Sequence, residues 1–181
     1  MMAKLTGSEE LSLSDMLRAA TVARPDRTAV SCGTERLTFQ QLSERSKNMA
    51  RHLRQLGAVA NEPVGIFMEP SVDLMASVWG VLHAGAAYLP LSPEYPDERV
   101  RYMVADSQAK VILTDESLAS RLAAMTPPGT KIVTVAQTQA QAQTRTQAHL
   151  EAAPDAGSTT KPAPSQAVSY THLTLPTILL V

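Results

Sequence analysis

Gly80-Val81-Leu82-His83-Ala84-Gly85-Ala86-Ala87-Tyr88-Leu89-Pro90-Leu91-Ser92-Pro93 reads as a helix that ends at a glycine, then a short buried strand, then a proline-closed turn. Gly85 suits the left-handed position just past a helix end, where a β-carbon is penalised. Ala86 and Ala87 leave room for close backbone packing, and Tyr88-Leu89 supplies strand character. Pro90 and Pro93 are expected to end the strand, because proline cannot donate to a sheet ladder.

The alternation continues on both sides of this stretch. Leu13, Met16, Leu17 and Ala20 recur at helical spacing, with Ser12 as cap and Pro25 just past the end. Ala29 to Cys32 reads as a strand, Gly33 to Arg36 as a tight turn, and Leu37 as the start of a second short strand. Thr38 and Gln41 form a capping box for a helix carrying Leu42, Met49, Leu53 and Leu56, which Gly57 ends. Pro63 to Met68 is a buried strand. Ser71 caps a helix whose stripe is expected to be Val72, Met75, Ala76, Trp79 and Leu82. Beyond the opening stretch, Pro96 starts a helix with Val100, Met103 and Val104. Lys110 to Thr114 is a strand, and Asp115 caps a helix carrying Leu118, Leu122 and Met125. Pro127-Pro128-Gly129 turns into a strand from Lys131 to Val135. Continuous apolar strand cores favour a parallel sheet covered on both faces. The expected fold class is therefore α/β, a Rossmann-like three-layer arrangement with a mostly parallel sheet and right-handed crossovers.

Composition narrows the function. The 181 residues are 44% hydrophobic, enough for a sizeable core. A formal net charge of −1 gives no reason to expect a nucleic-acid or anionic-membrane partner. The single cysteine, Cys32, excludes an internal disulfide and an all-cysteine metal site, and its apolar setting predicts a buried, inert thiol. No apolar run approaches the roughly 20 residues of a membrane helix, and Ser8-Glu9-Glu10 stands where a signal peptide needs apolar residues. A cytoplasmic protein is the default expectation.

After Val135 the character changes, so the chain divides into residues 1–135, 136–167 and 168–181. Ala136 to Gln147 is almost only Ala, Gln and Thr, and Glu151 to Gln166 is rich in Ala, Pro, Ser and Thr. Neither has the large apolar residues needed to bury a face, so a linker or poorly ordered loop is expected, with room for a short Ala/Gln helix before Pro154. Val168 to Thr177 matches, over ten consecutive residues, the conceptual translation of a transposon-based sequencing-library adapter. The codons GTC-TCT-TAT-ACA-CAT-CTG-ACG-CTG-CCG-ACG spell it, and the adapter's leftover base A agrees with Ile178. Residues 168–181 are therefore set aside as an adapter-derived tail.

Several blocks resemble one family in order. The opening stretch is similar to the "LKAGGAYVPLDP" segment of the amino-acid adenylation domains of nonribosomal peptide synthetases, within the adenylate-forming ligases. Leu37 to Leu42 resembles the family's first core motif, L-T/S-Y-x-E-L. Val64 to Ser71 resembles the strand and turn before the second motif. Tyr95 to Met103 is similar to "YPxERLxYM", and Asp106 to Thr114 to "DSxAKVLLT". The resemblance spans Leu13 to Val135, and the combination of blocks is what makes it specific. Ser92 stands where the family usually has Asp, and His83 where it usually has Lys; these put the subfamily in doubt, not the fold.

The resemblance implies a parent that uses ATP and Mg²⁺ to convert an amino acid to aminoacyl-AMP. It then loads the phosphopantetheine thiol of a carrier protein, with condensation domains as neighbours. The fold implied for residues 1–135 is the N-terminal part of the family's large domain. The family's phosphate-binding loop, "YTSGSTGxPKG", is due near residue 170, where this chain reads Tyr170-Thr171-His172-Leu173. That loop's glycines let backbone N–H groups approach the triphosphate, and its lysine offsets charge. No residue of this chain is carried over as catalytic, cofactor-binding or metal-binding, and the chain is expected to be a truncated, inactive scaffold. Truncation implies exposed apolar surface and a marginal monomer.

No other pattern supplies chemistry. G-x-G-x-x-G and G-x-x-x-x-G-K-[ST] are absent; Gly80 and Gly85 have the second spacing but lack the following Lys-Ser/Thr. His52, His83, His149 and His172 contain no i, i+4 pair of the zinc-helix kind. Ser31-Cys32-Gly33 has no positioned base. Glu98, Arg99 and Arg101 read as a solvated face with weak i, i+3 pairing. Two alternatives remain: a fragment of an acyl- or aryl-CoA synthetase, which downstream carrier and condensation domains would argue against, and a non-enzymatic α/β interaction module binding through its sheet edge.

Overall fold

The computed structural model describes residues 12–140. They form α1 (Leu13–Ala23), β1 (Thr28–Cys32), β2 (Glu35–Thr38), α2 (Phe39–Gln55), β3 (Pro63–Phe67), α3 (Val72–Ala84), β4 (Ala87–Leu91), α4 (Asp97–Ser107), β5 (Val111–Thr114), α5 (Glu116–Met125) and β6 (Lys131–Thr134). β3 to β6 make a four-stranded parallel sheet in the order β4-β3-β5-β6. The α/β class and parallel sheet are as the alternation implies. β1 and β2 stand apart as an antiparallel hairpin.

The strand order reverses once. The chain leaves β3 for β4 on one side, then crosses back past β3 to β5 and β6. A constant crossover hand then requires α3 on one face and α4 and α5 on the other. The packing agrees. On one face, Met49, Leu53 and Val81 of α2 and α3 pack with Val64, Ile66, Val111, Leu113 and Val133. On the other, Val100, Val104, Leu122 and Met125 of α4 and α5 pack with Phe67, Leu91 and Ile112. A third cluster, Leu17, Leu37, Leu42, Val72 and Ala76, joins α1 and the hairpin to α2 and α3.

Helix ends follow local chemistry. Ser12, Thr38 and Ser71 each accept a hydrogen bond from the backbone N–H three residues on, and Gln41 completes the capping box by accepting from Thr38 N–H. Gly85 ends α3 at φ +85°.

Six expectations need correction. Pro90 does not end β4; it lies inside it, opposite Ile66. β4 is also not a buried strand: it is the sheet's edge, with Tyr88 43% exposed. An edge strand has one side free of ladder bonds, so proline is tolerated there. The buried stripe of α3 is Val72, Ala76, Ser77, Gly80 and Val81, while Met75 is exposed and Trp79 and Leu82 are partly buried. The small residues win because α2 presses against this face. Leu13 and Met16 are exposed, leaving Leu17 as the buried residue of α1. Cys32 is half-buried, with its thiol donating to the Pro70 carbonyl at 3.4 Å. Asp115 sits at the N-cap of α5 but makes no side-chain cap bond.

The polar tract after Val135 begins as helix: residues 135–140 are helical, with Thr134 and Gln137 exchanging side-chain-to-backbone hydrogen bonds. Thr138 is buried there. The rest of the expected linker, 141–167, and the tail, 168–181, lie outside the described residues.

Candidate functional site

In open α/β sheets, ligands bind outside the carboxyl ends of the strands, at the point where strand order reverses. Here that point lies between β3 and β5. The Thr114 hydroxyl donates to the Phe67 carbonyl at 2.8 Å, and the Asp115 carboxylate accepts from the Glu69 N–H at 3.3 Å. Together they tie the two strand ends. Burial pushes the Asp115 carboxyl above its usual range; the Glu69 N–H opposes this, while the charges of Asp73 and Glu69 add to it. Asp73 itself pairs with Arg45 at 2.6 Å and accepts from Gln139 at 3.4 Å.

The loop after β4 forms the neighbouring rim. The Ser92 hydroxyl accepts from Glu94 N–H at 3.2 Å, closing a turn of the kind an aspartate also makes. Serine in the family's usual aspartate position therefore keeps the local chemistry. Arg121 of α5 fastens the loop: it donates to the carbonyls of Pro93 at 2.8 Å and Tyr95 at 3.3 Å, and to the Asp97 carboxylate at 2.7 and 3.1 Å. Its guanidinium also lies 5.6 Å from the centre of the Phe67 ring. Arg99 stacks on Tyr95 at 4.2 Å.

The Asp115 carboxylate is thus held by a backbone N–H, Arg45 pairs with Asp73, and Arg121 pairs with Asp97. Among the described residues there is no group of three His, Cys, Asp or Glu able to bind a metal ion.

The sequence assigns no catalytic, cofactor or metal residue. The residues it weighs lie apart from the rim or serve structure. Gly80 packs under Met49. His52 and His83 each have one buried ring nitrogen without a partner, Nδ1 and Nε2 respectively. His149 and His172 lie outside the described residues. Glu98 and Arg101 form no ion pair with each other; among Glu98, Arg99 and Arg101 the side-chain contact found is the Arg99–Tyr95 stack. Arg121 escapes sequence reasoning because its partners are 24 to 28 residues away and no local pattern marks them. Among the described residues, no helix is long and apolar enough to cross a membrane.

Comparison with known proteins places this geometry. A family model described as AMP-binding enzyme matches residues 17–174. That span takes in the first part of the stretch assigned to an adapter. Indigoidine synthase of Streptomyces lavendulae is 45% identical over 129 residues, which are 71% of this chain and 10% of the relative. Bacitracin synthase 1 of Bacillus licheniformis is 51% identical over 100 residues, 55% of this chain and 2% of the relative. Among solved structures, the nonribosomal peptide synthetase FmoA3 bound to α-methyl-L-serine-AMP superposes with a TM-score of 0.64 at 31% identity, covering 68% of this chain and 14% of that one. The chain thus spans a tenth or less of the length of these curated relatives.

Proposed function

The chain belongs to the AMP-binding enzyme family, as part of an amino-acid adenylation domain of the nonribosomal peptide synthetase type, and from this we propose that its parent polypeptide activates an amino acid. The parent would form aminoacyl-AMP from the amino acid and ATP with Mg²⁺, then load a phosphopantetheinyl carrier protein, with condensation domains beside it. The described residues contribute scaffold to that activity and no reacting group.

One observation carries this reading: the five family-like blocks fall on consecutive elements, from the β1-β2 hairpin and α2 through the four-stranded sheet, of a fold that superposes on FmoA3. Structures of FmoA3 with AMPPNP and of a four-domain synthetase with AMP and glycine support the choice of nucleotide and substrate class.

We also propose that residues 168–181 are adapter-derived. Reading the source locus across codon 167 by an adapter-free method tests both points. A serine- and glycine-rich phosphate loop directly downstream, and amino-acid-dependent ATP–pyrophosphate exchange by the encoded parent, are expected. Recovery of Ser169 to Pro176 would overturn the adapter origin, and no exchange with any amino acid would overturn the activity.

A further inference from the structure

Separate from activation chemistry, one outer face of α2 carries three cations that form no ion pair among the described residues, with exposed Glu44, which accepts from Gln40, one turn before them. Lys47, Arg51 and Arg54 are all exposed and spaced i, i+4, i+7, so they share one side of the helix. The ion pairs among the described residues use Arg18, Arg45, Lys110 and Arg121, and none uses these three. Arg45, on the same helix, shows the contrast, being neutralised by Asp73 of α3. Among the described residues, Arg51 donates to the Asn48 side-chain oxygen at 3.1 Å, and Arg54 donates to the His83 carbonyl at the end of α3. The His83 imidazole is half-buried at the border of the stripe, beside Trp79, with its Nε2 unpartnered.

We propose that this face of α2, bordered by His83, docks an acidic helix of a partner protein. Like charges at this spacing repel one another, so an anionic surface laid over them is favourable. Carboxylates at i, i+4 and i+7 of a facing helix match the stripe's spacing. A nucleic acid is the poorer match, because the chain carries a net charge of −1 and the cations are confined to one narrow stripe. His83 is a built-in reporter: burial, then the nearby Lys47 and Arg54, hold its pKa below the usual 6.5, and carboxylates arriving at the stripe must raise it.

The test uses the 181-residue chain and a synthetic helical peptide bearing Glu at i, i+4 and i+7, with a Gln counterpart as control. Saturable, salt-sensitive binding of the Glu peptide with an upward shift of the His83 NMR titration is expected. The double variant Lys47→Glu/Arg51→Glu should bind about tenfold more weakly or worse while keeping its cooperative melt, since both side chains are exposed. An unchanged His83 titration, equal binding of the Gln peptide, or tighter binding of a DNA duplex than of the Glu peptide would each overturn the proposal.

Discussion

At Gly80, a β-carbon would stand 2.5 Å from Met49 Cγ and 2.6 Å from Met49 Cβ. Those atoms are the root of the methionine side chain, so no simple rotamer change makes room. Alanine is the better helix former by about 1 kcal/mol, yet Gly80→Ala should destabilise the protein, and Gly80→Val should cost about 1–3 kcal/mol. Urea-unfolding midpoints check both, and an unchanged or raised midpoint would show that α2 and α3 are not held this close. His83 gives a pH signature. Its folded pKa lies below 6.5, so the unfolded chain takes up the proton first. Stability should be unaffected above that value and fall as pH drops through it toward the folded pKa. His83→Gln should remove this part of the slope in stability measured against pH. The α3 glycine and histidine are visible in the sequence, but their surroundings are not. A hydrophobic pattern predicts a stripe of large residues, whereas the close approach of α2 selects Ala76, Ser77 and Gly80.

Among elements, the edge strand β4 carries the clearest consequence. Pro90 lies within it and Tyr88 is exposed on it. Proline on an edge blocks pairing with another chain. Pro90→Val should therefore increase concentration-dependent self-association in light scattering, with the monomer's melt little changed; equal association of both proteins would contradict this. The rim loop depends on one side chain from another element. Arg121→Met should speed amide exchange at Glu94, Tyr95 and Asp97 while exchange in β3 and β5 stays slow. Unchanged protection there would show that the loop holds itself. Three caps were legible, because Ser12, Thr38 with Gln41, and Ser71 act within one helical turn. Pro90 misled because the local rule that proline ends strands yields at a sheet edge, and edge status is a property of the whole sheet. Asp115 misled for a similar reason: its place before α5 marks a cap, but the Glu69 N–H, 46 residues away, takes its carboxylate.

For the whole molecule, alternation of strands and helices was enough to give the α/β class and the parallel sheet, because continuous apolar strands such as β3 and β5 are stable only when covered on both faces. The order β4-β3-β5-β6 and the separate hairpin were not legible, since strand partners are chosen by long-range packing. The sequence also assigned no reacting residue, because the family's phosphate-binding loop is due near residue 170, where this chain reads Tyr170-Thr171-His172-Leu173. On the function proposed above, the described residues are a frame and the adenylation site is completed by other residues. Titration calorimetry of the 181-residue chain with a non-hydrolysable aminoacyl-adenylate mimic tests this most directly. The account predicts no saturable heat at any accessible concentration; stoichiometric, saturable binding would contradict it.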